Sequence, residues 1–248
     1  MDNVHYVTYA THPQGMFNEL INNPHGVKID VLGWGEKWNG FMDKYIGMGK
    51  YLETIPPDDY VVFLDGFDTR VNRSPTDIIS IFNSYGCQIL ASREAEIITK
   101  FNNLTKEFNR RRFGSCGDHT ANSGMWMAKV SDARTFIKES VDDWGGESAD
   151  DQVAMNNVCR KMHKGFICIE DRRLIFTNSY TFGGKCESIF CSYPATAVGG
   201  GKIAKVKRKS ILLFQIYKAF SPQIYFFALL VAALYILKSF PSKPVKRR

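Results

Sequence analysis

Short apolar runs alternate with longer segments of mixed polarity over most of this chain. Residues 4–9 and 27–32 read as strands, and residues 60–64 (Tyr60-Val61-Val62-Phe63-Leu64) form an unbroken apolar run suited to a strand buried on both faces. Further strands are predicted over 88–92, 124–129, 166–170 and 174–176. Helical patterns fall between them, over 16–22, 44–54, 131–141 and 150–161. Ser74-Pro75 predicts another helix to about Ser84, with serine as the cap and proline in the first position. Residues 33–40 read as a loop rich in Gly and Trp. The polar stretch from Glu94 to Asp118 lacks apolar periodicity and reads as a mobile flap. Alternation of strand and helix predicts an α/β domain, a Rossmann-like, mainly parallel sheet flanked by helices. There is no internal repeat.

The pattern changes after residue 198. Residues 199–218 form a basic linker that opens on three glycines. Residues 219–240 follow as an apolar stretch, uninterrupted from Ile224 to Leu237, and 241–248 form a basic tail. The apolar stretch is long enough for a single C-terminal transmembrane helix, with Tyr217, Tyr225 and Tyr235 suited to the interfaces. Charge follows the same division. The net charge is +7, yet eleven of the 32 Lys and Arg lie from Lys202 onward, leaving 21 basic against 25 acidic residues before it, a balance of −4. The folded part, residues 1–198, is therefore mildly acidic and offers no basic surface for nucleic acid. The six cysteines include no CxxC pair and no zinc pattern, so free thiols are expected. The first ten residues already carry a strand pattern, without the charged and apolar regions of a secretory leader. These features together predict a membrane-anchored protein whose folded domain faces the cytosol.

Chemistry concentrates in three places. Asp65 and Asp68 follow the apolar run at 60–64, at the carboxyl end of a strand, where open α/β sheets bind ligands. Two hard oxygen donors there, with Gly66 allowing the chain to bend, suit a divalent cation that holds a diphosphate; a solvated acidic turn is the plainer alternative. Asn122-Ser123-Gly124 lies just before a predicted strand. Asp150-Asp151 opens a helix, where acids are stabilised by the backbone dipole, or where a carboxylate can orient or deprotonate an acceptor hydroxyl. Trp34 and Trp38 can stack on a base or sugar, or pack over the sheet edge.

Seven segments occur in a telling order: Tyr6-Val7-Thr8-Tyr9-Ala10-Thr11, then Leu32 to Gly40, then Gly47-Met48-Gly49-Lys50, then Phe63 to Val71, then Ala121 to Gly124, then Asp150-Asp151-Gln152, and Arg173 to Asn178. Over about residues 4–182 this resembles the glycosyltransferase domain of the procollagen lysyl hydroxylases and, more broadly, the procollagen-type glycosyltransferases of the GT-A fold. The resemblance implies a UDP-sugar donor, with glucose or galactose as the hexose, a Mn2+ or Mg2+ ion, and a hydroxyl acceptor on protein or glycan. It implies metal binding by Asp65 and Asp68. It places Thr8, Ala10, Trp38, Lys50, Phe67, Asn122, Ser123 and Gly124 around the donor, Lys50 reaching the diphosphate from a Gly-rich turn. It places Asp150 and Asp151 beside the transferred sugar, with Asp151 nearest the anomeric carbon. The family's metal-binding histidine, in a His-Gly-Asn-Gly segment, has no counterpart here, since the last histidine is His163.

Two other classes compete. Phe63 to Thr69 superficially resembles the strand motif of haloacid-dehalogenase phosphohydrolases, but that chemistry needs acids two residues apart and here they are three apart. The missing histidine also admits a non-catalytic, membrane-tethered nucleotide-sugar binder.

Overall fold

The computed structural model describes residues 3–95, 102–142, 150–179 and 186–194. The linker, transmembrane and tail segments expected over 199–248 lie outside the described residues. Among the described residues no helix is long and apolar enough to cross a membrane.

The elements are β1 (Val4–Tyr9), α1 (Phe17–Ile21), β2 (Ile29–Leu32), α2 (Asp43–Leu52), β3 (Tyr60–Leu64), β4 (Thr69–Val71), α3 (Ile78–Asn83), β5 (Ile89–Arg93), α4 (Asn102–Phe113), β6 (Ala121–Lys129), α5 (Val130–Asp142), α6 (Asp151–Lys161), β7 (Ile167–Glu170), β8 (Phe176–Asn178) and β9 (Phe190–Ser192). Six strands form the central sheet in the order β2-β1-β3-β6-β5-β7. Five of them run parallel to one another, and β6 runs against its neighbours β3 and β5. This is the expected mixed α/β architecture with a mainly parallel sheet.

β3 sits at the centre of that sheet, and all five of its residues are buried. Val61 and Phe63 enter the apolar core on one face, while Tyr60, Val62 and Leu64 enter the core on the other. An unbroken apolar strand is what burial on both faces demands. Phe63 stacks on Trp126 of β6, with ring centroids 5.8 Å apart.

A second sheet, β4-β9-β8, joins the strand that follows Asp68, β4, to two strands from much later in the chain. Its register pairs Thr69 with Ser192. Neither β4 nor β9 was expected, because three residues are too few to show an alternating pattern.

Three expectations need correction. Glu94–Asp118 contains α4, which buries Phe108 and Asn109; Glu107 also pairs with Arg111 at 2.7 Å, one turn away, and Arg110 to Arg112 complement the carboxyl end of the helix dipole. Ser74 does not cap α3. Its hydroxyl bonds that of Thr76 at 2.8 Å, and the helix begins at Ile78. The cysteines are not all free: Cys116 pairs with Cys159 and Cys186 with Cys191, leaving Cys87 and Cys168 as thiols.

The first disulfide spans 43 residues and ties the loop before β6 to α6, the helix that carries Asp151. Closing a loop of that size removes about 4 kcal/mol of unfolded-chain freedom. Replacing both Cys116 and Cys159 with Ala is expected to lower Tm by ~10 °C in a thermal melt.

Candidate active site

Asp65 leaves β3 with its N–H donating to the carbonyl of Gly124 at 2.6 Å, so the β3–β6 pairing extends one residue beyond the strand. The next three residues form a turn. Gly66 is required there by closeness to β1 and not by an unusual bend: a Cβ at this position would lie 2.9 Å from Thr8 Oγ1 and 3.3 Å from the carbonyl oxygen of Tyr9. Thr8 and Ala10 are fully buried beneath it and form the floor of the turn. Gly66→Ala is therefore expected to cost ~1–3 kcal/mol and to displace Asp65 and Asp68. Denaturant unfolding measures the first effect, and loss of Mn2+ affinity reports the second.

Asp68 closes the turn. Its side chain is buried and accepts hydrogen bonds from Ser192 Oγ at 3.1 Å and Thr69 Oγ1 at 3.3 Å. Its backbone carbonyl accepts from the N–H of Tyr193 at 2.8 Å. Burial, then the neighbouring Asp65 carboxylate, push its pKa up to about 8, against the pull of Ser192 and Lys44. Asp65 is more open, with its side chain 29% exposed.

Lys44 stands among the acids. From α2 its Nζ lies 2.7 Å from Asp151 Oδ2 and 3.4 Å from Asp65 Oδ2, and 5.5 Å from the centroid of the Phe41 ring. Burial alone would lower its pKa, but the carboxylates of Asp151 and Asp65 overcome this and hold it well above the usual lysine range. For Asp151 burial raises the pKa and Lys44 opposes the rise. Two carboxylates, those of Asp65 and Asp151, thus share one ammonium, with the buried Asp68 carboxyl beside them at the carboxyl end of the central strand.

The two acids at the start of α6 divide the roles foreseen for them. Asp150 is the helix cap and accepts from the N–H groups of Gln152 and Val153. Asp151 is buried and turned to Lys44. One residue of displacement along the chain separates the structural acid from the one in the charged cluster.

Asn122, Ser123 and Gly124 lie within β6 and not before it, because the strand begins three residues earlier than predicted. A Cβ on Gly124 would come 3.4 Å from Asp65 Oδ2 and 2.9 Å from Asn122 Oδ1, so glycine leaves room for the Asp65 carboxylate. Ser123 is buried. Asn122 donates to Glu94 Oε2 at 2.8 Å, which also accepts from Gln152 Nε2 at 2.6 Å. Burial raises the pKa of Glu94, and Asn122 and Gln152 oppose that rise.

Phe41, beside the Lys44 ammonium, is one of several exposed aromatic side chains. Trp38 packs against Tyr9 and Phe41 at 6.0 and 5.7 Å yet stays 42% exposed. Phe67, between the two aspartates in sequence, lies 5.4 Å from the ring of His12. Trp34 stacks on Phe17 and is also exposed. Each keeps surface on which a planar ligand can stack.

Lys50 is the expected residue that the structure keeps away from the acids. Gly47 to Lys50 belong to α2 and not to a turn. Gly47 and Gly33 instead clear space for the ring of Tyr9, which a Cβ on either would meet at 2.8 and 2.3 Å. Lys50 is exposed and lines a separate hollow of about 630 Å³ with Tyr45, Ile46, Glu53, Arg134 and Lys138.

Sequence reasoning missed Lys44, Ser192 and Glu94, and quoted Gln152 only as part of the motif with Asp150 and Asp151. Lys44 did leave a signal: it falls in register with buried Met48 and Leu52 on the apolar stripe of α2, where an unpaired lysine would be costly. Ser192 left none, being 124 residues from Asp68.

Among the described residues no group of three or more His, Cys, Asp or Glu side chains gathers to hold a metal ion. Asp65 and Asp68 supply two carboxylates, and Asp151 is engaged by Lys44. Two carboxylates fit a divalent cation that takes its remaining ligands from water and a bound diphosphate, a common arrangement for Mg2+.

No family model matches the chain, and no curated protein matches it. Among solved structures it is similar to the crystal structure of a glycosyltransferase involved in the glycosylation of the major capsid of PBCV-1, with 12% identity and a TM-score of 0.48, covering 84% of this chain and 99% of that chain. A likeness at that level carries no weight for activity or substrate.

Proposed function

We propose that this chain is a metal-dependent glycosyltransferase that moves a hexose, glucose or galactose, from a UDP-sugar to a hydroxyl on a protein or glycan acceptor. One observation carries the reading: Asp65 and Asp68 follow the central strand β3 at its carboxyl end, and Lys44 joins Asp65 to Asp151 at the start of α6. The motif order that resembles procollagen-type glycosyltransferases supports it.

In this reading Asp65 and Asp68 hold Mn2+ or Mg2+. When bound, the cation supplies Lewis-acid stabilisation of the charge that develops on the leaving diphosphate. Trp38 and Phe67 offer aromatic surface to the nucleotide. Asn122, held by Glu94 and Gln152, borders the sugar. Asp151 faces the anomeric carbon, either as the base that takes the acceptor proton (inverting outcome) or as the anion that stabilises a positively charged sugar (retaining outcome). The anomeric configuration of the product separates the two. Residues 219–240 tether the domain to a membrane.

A panel of UDP-sugars, assayed for UDP release with Mn2+ and with chelator, tests the proposal. Release is expected with Mn2+ and a UDP-hexose, and not with chelator. The two-carboxylate donor set favours one second reading, a membrane-tethered nucleotide-sugar binder without turnover. It wins if UDP binds while the parent and Asp151→Asn turn over equally poorly.

A further inference from the structure

Lys44 occupies an unusual place for a lysine. Its side chain is 7% exposed, it sits on the core-facing stripe of α2, and its ammonium touches two acids from different elements. The two contacts are unequal. The 2.7 Å contact joins it to Asp151, which is itself buried, whereas the 3.4 Å contact joins it to the more open Asp65. Its neighbour Tyr45 donates to the backbone carbonyl of Asp151 at 3.1 Å, so α2 grips the start of α6 through two consecutive residues. Phe41 supplies an aromatic face within 5.5 Å of the ammonium.

We propose that Lys44 is a resident counter-ion: it holds Asp65 until a divalent cation arrives between Asp65 and Asp68, then releases Asp65 while keeping Asp151 fixed. This rests on the metal-dependent reading above and deepens it. The longer contact is the one a stronger cation displaces, since two positive charges cannot share one carboxylate without mutual repulsion. The shorter contact persists because Asp151 is buried and held at 2.7 Å by an equally buried ammonium. Lys44 is thus a positioning residue acting through Asp151, and a competitor of the metal at Asp65.

These two roles move two measurements in opposite directions. Removing the charge in Lys44→Gln is expected to tighten Mn2+ binding to the nucleotide-free protein by ~10-fold, measured by calorimetry. The same variant is expected to lose ~100-fold in kcat for UDP release, as Asp151 loses its anchor. Lys44→Arg, which keeps the charge, is expected to recover most of both changes. If Lys44→Gln does not fold, the parent protein still decides: the side-chain amine resonance of Lys44, assigned by its absence in Lys44→Arg, is expected to shift when Mg2+ is added. Unchanged or weaker Mn2+ binding in folded Lys44→Gln, or an amine resonance indifferent to Mg2+, overturns the proposal. Failure of the underlying reading looks different. There the parent itself binds no Mn2+, or binds it equally well as Asp65→Asn, and both proposals fall.

Discussion

Asp68→Asn is expected to make the protein more stable and nearly inactive. The sign of the stability change follows from the raised pKa of the native carboxyl, pushed up to about 8 by burial and by Asp65. An acid with a raised native pKa binds protons more tightly when folded than when unfolded. Its contribution therefore favours the fold at low pH and is lost as pH rises from about 4 through 8. Asparagine keeps an oxygen for the hydroxyls of Ser192 and Thr69 and carries no charge to bury. Without metal at pH 8 the variant is expected to melt ~2–8 °C above the parent. Saturating Mn2+ should reverse the order, because only the parent gains binding free energy. UDP release should fall by ~10²–10³, the scale for losing one preorganised electrostatic partner of a developing anion. Melting temperatures with and without Mn2+ at pH 5 and 8, beside UDP-release rates, measure all three effects. A variant less stable than the parent at pH 8 without metal would contradict the charge argument.

Asp151→Ala is expected to fail in a different way. Removing this carboxylate leaves the Lys44 ammonium buried, with Asp65 as its remaining close partner at 3.4 Å. Breaking a buried pair from one side costs about 3–5 kcal/mol, and the Asp65 contact places this case toward the lower end. Tm should drop by ~6–12 °C. Asp151→Asn keeps the shape, loses the charge, and should lose ~10²–10⁴ in kcat while still binding UDP with Mn2+, though more weakly than the parent because Lys44 then holds Asp65 harder. The split between retained binding and lost turnover distinguishes a residue at the reacting carbon from one that only supports the fold. Asp150→Asn, by contrast, removes no contact in the charged cluster, and its cap geometry tolerates the change.

The division between Asp150 and Asp151 shows how far sequence carried. Two acids at a helix start were visible, but which one caps depends on a one-residue choice of helix boundary that no local pattern fixes. β3 was legible to the residue because burial on both faces leaves an unbroken apolar run. The acids after it stand at the carboxyl end of that strand, as its apolar run predicts. Gly66 was rightly singled out for the wrong reason: a close approach to Thr8 and Tyr9 requires it, and such contacts between strands are invisible in one dimension. Two lysines of α2 stand six residues apart and face different surroundings. The Gly-rich segment drew attention to Lys50, whereas the buried stripe of α2 selects Lys44, and Gly47 serves the ring of Tyr9. α4 escaped notice because its polar surface hides the 3.6-residue period, leaving only charge spacing to reveal it. Ser192 and the disulfide partners meet across long separations, and only the fold brings them together.

The most direct test is a crystal grown with Mn2+ and UDP, with anomalous scattering used to locate the metal. A single Mn2+ peak at coordination distance from carboxylate oxygens of both Asp65 and Asp68, with the diphosphate on its open side, is the predicted result. Diphosphate bound elsewhere, or a metal peak that leaves Asp68 turned to Ser192 and out of reach, would contradict it.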